Sequence, residues 1–201
     1  MRKKLYLCKQ FDELYIFTKL LMEKHVVEYE GMTFKESISA AEIQQEVVRV
    51  ATEINADYAG REPLFVCVLN GAFMYASDLM KHISLPCEIT FVRMKSYEGT
   101  ETTGKVNMLI PLQVDVKDRD VIVIEDIVDT GITMHAFMNE LREMGAKSVA
   151  LTSFLYKPES LRYEDVKPQY YGLAIPPAFI IGYGLDLNEK ARNLASIYTK
   201  V

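Results

Sequence analysis

Residues 121–134, VIVIEDIVDTGITM, constrain this chain more than any other stretch. Val121, Ile122, Val123 and Ile124 are β-branched and apolar with no polar alternation, the pattern of a strand covered on both faces of a parallel sheet. Such a strand demands strand neighbours at its edges and helices on its faces, so the chain reads as α/β. Glu125, Asp126 and Asp129 then place three carboxylates within five residues, which repel one another unless cations or hydroxyl donors stand among them. Thr130, Gly131, Ile132 and Thr133 add two hydroxyls and a glycine where a helical pattern begins, so backbone amides and a helix dipole can face a phosphate. A helix cap needs only one such residue and leaves Glu125 and Asp126 unexplained.

The rest of the chain alternates strand and helix patterns. Ser39 and Glu42 form a capping-box pattern before Ile43, Val47, Val50 and Ile54 at helical spacing. LFVCVL after Pro63 reads as a buried strand, Asn70 and Gly71 as a tight turn, and Ala72, Ala76, Leu79 and Ile83 as the inward face of a second helix. Residues 87–94 form a further strand, followed by the polar, glycine-containing segment KSYEGTETTGK and a short returning strand at 107–111. Met134, Phe137, Met138 and Leu141 line a third helix that Gly145 stops, and residues 148–155 are another buried strand. Prolines at 158, 168, 176 and 177 break the rhythm, so segments 170–175 and 179–183 are expected in a small cap, with 196–199 as a last strand. The expected fold is a mainly parallel, doubly wound sheet flanked by helices, with ligands at the carboxyl ends of its strands and a C-terminal cap. Residues 1–28 read as an extension, and 29–201 as one domain with its cap elements mainly in 156–201.

At 201 residues and 49% hydrophobic content the chain is long enough to bury a full core. A formal net charge of -5 argues against a general nucleic-acid binder, so a small anionic substrate needs local cations. Charges at Lys9, Asp12, Glu13 and Lys19 interrupt the apolar N-terminal run too early for a signal sequence or membrane span. The three cysteines, Cys8, Cys67 and Cys87, show no C-x-x-C spacing and fit a cytoplasmic protein. Gly182 and Gly184 lack the third glycine of a dinucleotide fingerprint, and the histidines lack metal-ligand spacing.

The strand, acidic pair and D-T-G-I-T together closely resemble the phosphoribosyl pyrophosphate signature of the type I phosphoribosyltransferases. The resemblance runs from about Glu30 to Tyr198 and is nearest to the hypoxanthine and hypoxanthine-guanine members. It implies a magnesium-dependent transfer of phosphoribosyl from phosphoribosyl pyrophosphate to a 6-oxopurine, with release of pyrophosphate. Glu125 and Asp126 would hold the ribose hydroxyls and the metal, residues 129–133 the 5′-phosphate, and Asp129 would act as the catalytic group toward purine N7. Leu69, Asn70 and Gly71 resemble the pyrophosphate turn, with the Leu69–Asn70 peptide a candidate cis bond; Asn70 stands where many relatives carry a basic residue. Arg192 would also meet pyrophosphate, and Ser96 and Tyr97 resemble the lid pair. Lys157 would donate to the purine 6-oxygen, having three donors and no acceptor, while Phe179 would stack on the ring. Ile180 would make backbone contacts, and Asp186 would hold a second magnesium or contact the base. The resemblance also implies a homodimer or homotetramer. The rival expectations are a nucleic-acid-binding regulator that senses phosphoribosyl pyrophosphate and a xanthine-preferring transferase.

Overall fold

The computed structural model describes residues 25–94 and 108–201; most of the expected extension, with Cys8, and the lid pair Ser96 and Tyr97 lie outside the described residues. In chain order come β1 (Val26–Tyr29), β2 (Met32–Ile38), α1 (Ala40–Asp57), β3 (Leu64–Leu69), α2 (Phe73–Met80), β4 (Glu88–Met94) and β5 (Met108–Ile110). These are followed by β6 (Asp120–Val128), α3 (Ile132–Glu143), β7 (Ser148–Tyr156), β8 (Tyr170–Ala174), β9 (Ile180–Ile181) and β10 (Ile197–Lys200). The main sheet has the order β5-β4-β3-β6-β7-β8 and is parallel except for β5, which returns antiparallel to β4.

The apolar run at 121–124 is explained by two helical layers. Side chains alternate across a strand, so Val121 and Val123, with Leu64 and Val66, meet Met134, Phe137, Met138 and Leu141 of α3. Ile122 and Ile124, with Phe65 and Cys67, meet Val47, Val50 and Ile54 of α1 and Tyr75 and Leu79 of α2 on the opposite face. Burying each such side chain contributes about 1.5–3 kcal/mol, which keeps the central strands rigid beneath the site. The expected capping box closes α1: Ser39 Oγ accepts from the Glu42 amide, and Glu42 Oε2 accepts from the Ser39 amide at 2.8 Å. Helix α2 is shorter than its apolar spacing suggests, ending at Met80. Ile83 packs from the loop beyond, because Asn55 of α1 takes the backbone there, donating to the His82 carbonyl and accepting from the Ser84 amide.

The cap differs from its sequence-based expectation in two respects. Segment 170–175, expected in the cap, supplies β8, which pairs parallel with β7 and forms the edge of the main sheet. Two short 3-10 turns, Pro158–Ser160 and Glu164–Val166, replace the usual crossover helix. The second sheet has the order β1-β2-β10-β9, so half of it comes from the start of the described chain, and β1 begins ahead of the boundary expected at residue 28. Glu30 and Gly31, with φ of 52° and 75°, make the two-residue turn between β1 and β2. Phe34, Ile181, Ala191 and Tyr198 form the core of this sheet. Among the described residues, no helix is long and apolar enough to cross a membrane.

Candidate active site

The main sheet reverses its winding between β3 and β6: the chain runs outward from β3 through β4 to β5, then returns to β6 and runs outward to β8. Crevices open at the carboxyl ends of strands at such points. Here β3 pairs with β6 only as far as Cys67 opposite Ile124, whereas β6 continues beside β7 to Val128 opposite Tyr156. Glu125 and Asp126 therefore lie on the part of β6 from which β3 has peeled away. A cavity of about 340 Å³ occupies the gap. Its walls bring together Leu69, Asn70 and Gly71, then Glu125 and Asp126, residues 129–133, and finally Asp186 and Arg192 from the cap region.

The turn after β3 is fitted tightly into this wall. The Leu69–Asn70 peptide is cis. A Cβ on Gly71 would lie 1.6 Å from Asp126 Oδ2, and a Cβ on Gly184 would lie 2.0 Å from the Gly71 carbonyl oxygen. Three segments distant in sequence thus meet at one point where a side chain cannot fit. Asp126 is further held by the Ile127 amide, which donates to its Oδ1 at 2.8 Å.

Helix α3 begins on Gly131, whose φ of 75° is left-handed and which has no side chain to cap the first amides. The plain reading of Asp129, Thr130 and Thr133 as cap residues fails, leaving the helix N-terminus turned toward the cavity. Gly131 is backed by the segment after β7, since a Cβ there would meet Val166 Cγ2 at 2.5 Å and Leu161 Cδ1 at 3.0 Å. That segment is fastened to the loop and to α3. The Arg162 amide donates to the Thr130 carbonyl at 3.0 Å, His135 Nδ1 lies 2.9 Å from Asp165 Oδ1, and Tyr163 stacks on the His135 ring at 4.2 Å.

Lys157, at the start of the same segment, is buried, and its Nζ donates to Asp129 Oδ2 at 2.7 Å. Asp129 itself is half exposed to the cleft. Lys157 reaches the site through this pair without lining the cavity. Phe179 and Ile180 also lie off the cavity wall. Phe179 is 48% exposed, with its ring centroid 6.0 Å from that of Phe34, and Ile180 is buried in β9. Asp186 Oδ1 lies 2.8 Å from Arg192 Nη2 in an ion pair and Oδ2 accepts from the Glu189 amide at 2.8 Å, so its carboxylate is already engaged. Arg93, from the end of β4, and Glu189 also line the cavity, although the sequence reading did not single them out. A signal exists for Arg93, the penultimate residue of a strand that leads into the K-S-Y segment.

Glu125 bears on metal binding. Its Oε2 is buried without a hydrogen-bond partner, and burial, then the negative charge of Asp126, push its carboxyl well above the usual carboxylate range. Burial also raises the Asp126 carboxyl and pushes the Cys67 thiol, beneath the pair, up to about 12. An orphaned carboxylate oxygen beside a second acid suits a hard cation or sugar hydroxyls. Among the described residues no three His, Cys, Asp or Glu side chains surround a common point, so an ion here would complete its shell with water and ligand oxygens, as magnesium commonly does.

The raised Glu125 carboxyl carries a pH prediction. Because the folded protein holds this proton more tightly than the unfolded chain, its stabilising contribution is full below the unfolded value near 4.5 and is lost as pH rises through the folded value. In chelator-treated protein, Glu125→Gln should therefore flatten the decline in stability above pH 4.5 and raise the denaturation midpoint at neutral pH. Urea titrations of both proteins between about pH 5 and 8 check this, and parallel curves would refute it.

Residues 37–188 match the model of the phosphoribosyl transferase domain. The chain belongs to the phosphoribosyl transferase family. Among its relatives is a hypoxanthine-guanine phosphoribosyltransferase of Bacillus subtilis (strain 168), 37% identical over 88% of this chain and 94% of that protein. Two solved structures show the same fold. A hypoxanthine-guanine phosphoribosyltransferase from Bacillus anthracis is 37% identical, with a TM-score of 0.77 over 83% of this chain and 96% of the other. A hypoxanthine phosphoribosyltransferase from Staphylococcus aureus is 31% identical, with a TM-score of 0.79 over 90% and 95%. In this chain an acidic pair, an open helix N-terminus and an arginine surround one cavity.

Proposed function

We propose that this phosphoribosyl transferase acts in purine salvage, moving the 5-phosphoribosyl group from phosphoribosyl pyrophosphate to hypoxanthine and also guanine. The products are inosine or guanosine 5′-monophosphate and pyrophosphate. The observation that carries this reading is the single cavity shared by the acidic pair, the loop at 129–133, the turn at 69–71 and Arg192, with Lys157 joined to Asp129 at its border. The names and similarity of the relatives support the same substrates.

In this reading Glu125 and Asp126 accept hydrogen bonds from the ribose hydroxyls, and the amides of residues 131–133 with the Thr130 and Thr133 hydroxyls bind the 5′-phosphate. Arg192 and the Asn70 and Gly71 backbone hold pyrophosphate. The cavity wall carries five carboxylates, Glu125, Asp126, Asp129, Asp186 and Glu189, against two arginines, Arg93 and Arg192, so polyanionic substrates need further positive charge. Magnesium held by Glu125 and Asp126 would supply it, neutralising the leaving group. Asp186 would serve a second ion or the base only on release from Arg192.

Asp129 takes the purine N7 proton, and Lys157 both orients it and donates to the 6-oxygen with its remaining protons. Phe179, standing exposed on the cap, would stack on the base, with Ile180 giving backbone contacts. Ser96 and Tyr97 would close over the reacting centre and exclude water. We place the enzyme in the cytoplasm, in keeping with free Cys67 and Cys87. A homodimer or homotetramer is supported by the exposed apolar side chains Phe73, Ile89 and Phe91 on α2 and β4. Lys157→Ala tests base selection: its preference for hypoxanthine over adenine should fall by about 10- to 100-fold, the worth of a charged hydrogen bond. Initial rates with each base and magnesium decide it, and an unchanged ratio rejects the role.

A further inference from the structure

Glu189 is the one carboxylate at this cavity whose surroundings resemble a receptor for an external anion. Its Oε2 accepts from Arg192 Nη2 at 2.9 Å and from Arg192 Nε at 3.2 Å. Its other oxygen, Oε1, lies 3.9 Å from Arg93 Nη2, and Arg192 first, then the Asn70 side chain, hold the carboxyl below its usual range. These donors converge from three separate places: the end of β4, the turn after β3, and the cap loop. The Glu189 side chain is 64% exposed, so little packing holds it there. An exposed ion pair of this kind adds little to stability, a weak reason to gather two guanidiniums and an amide around one carboxylate. The backbone around it is held in an uncommon form: Asn188, Glu189 and Ala191 adopt φ of 50°, 64° and 68°, and Asp186 accepts from the Glu189 amide. Side chains with a Cβ rarely adopt that region.

We propose that Glu189 is a resident anion occupying the leaving-group subsite, and that Arg93 and the Asn70 side chain, together with Arg192, form the donor set that pyrophosphate takes over from it. This rests on the phosphoribosyl transfer reading and adds two residues to it. Pyrophosphate offers more charge and more acceptor oxygens than a carboxylate, and it pairs bidentately with guanidinium, so it displaces Glu189 into solvent. On release, Glu189 returns to Arg192, which Asp186 holds from its other side, and Arg93 regains a negative neighbour. The enzyme thereby trades pyrophosphate affinity for easier product departure. Arg93 supplies from the neighbouring strand, where it pairs in register with Leu69, the positive side chain that Asn70 does not provide on the turn.

Calorimetric titration of pyrophosphate with magnesium into the full chain tests this. Glu189→Gln keeps the size and removes the charge; it should tighten pyrophosphate by about tenfold, and Arg93→Gln should weaken it by about tenfold or more, with Arg93→Lys between wild type and Arg93→Gln. In pre-steady-state turnover, Glu189→Gln should also show slower pyrophosphate release. Unchanged or weaker binding in Glu189→Gln overturns the resident-anion role, and wild-type binding in Arg93→Gln removes Arg93 from the subsite. Wild-type protein that binds no pyrophosphate overturns the transferase reading together with this one. Binding by wild type with both glutamine variants unchanged overturns this inference alone.

Discussion

Asp129→Asn is expected to fold normally and bind phosphoribosyl pyrophosphate nearly as well as wild type, yet to lose about 10²- to 10⁴-fold in kcat, the usual worth of a positioned acid–base group. The geometry separates the two effects. Asp129 is half exposed, and an asparagine keeps an oxygen that accepts from Lys157 Nζ, so the buried ammonium retains a partner and stability changes little. The groups proposed to bind the 5′-phosphate are the amides of residues 131–133 and the Thr130 and Thr133 hydroxyls, which the substitution leaves in place. What disappears is the carboxylate proposed to take the purine proton. Single-turnover kinetics alongside equilibrium binding of phosphoribosyl pyrophosphate would separate these quantities. A wild-type rate in the variant would exclude Asp129 as the base.

Gly71→Ala should give an equally large loss by a different route. Gly71 is not among the residues with left-handed φ, so its requirement is for space. The new methyl would overlap Asp126 Oδ2 at 1.6 Å. Either Asp126 leaves its hydrogen bond with the Ile127 amide, or the turn moves outward against Gly184. Both outcomes disrupt the cavity wall where the proposed sugar and pyrophosphate subsites meet. Binding of phosphoribosyl pyrophosphate should weaken by about 100-fold or more, two lost charge-assisted contacts at about 1.5–3 kcal/mol each, while the helical circular dichroism spectrum persists. Unchanged binding would show that the wall tolerates a side chain at 71. Gly184→Ala, aimed at the Gly71 carbonyl from the other side, should reproduce the defect with a larger loss of stability, since backbone cannot rotate away as a carboxylate can.

These two positions mark how much was legible in the chain. Asp129 was named from local chemistry and family resemblance, because an apolar strand running into carboxylates and D-T-G-I-T carries its meaning within one turn. Gly71 was legible as part of a turn, but its reason was not: the atoms that exclude a methyl belong to Asp126, and those that lock the turn belong to Gly184. Arg93 and Glu189 were missed for the same reason. Each reads as an ordinary surface charge until β4 and the cap loop are brought to one cavity wall.

The elements divide in the same way. Residues 121–124 and the α1 capping box rest on interactions within a few positions, and hydrophobic period or cap chemistry suffices to place them. Segment 170–175 shows where that reasoning stops. Its strand character was plain, but a β pattern does not say which edge it will pair with, and only the free edge of β7 assigned it to the main sheet. Likewise, β1 and β2 entered the cap because β10 returned to pair with β2 across the whole length of the domain. The α/β class, the helical faces and the acidic and hydroxyl-bearing residues of the 125–133 loop are legible in the chain, since each follows from near neighbours. The strand order, the makeup of the cap and the meeting of Gly71, Asp126 and Gly184 come from the folded molecule, because they depend on contacts whose free energy appears only when distant segments pack.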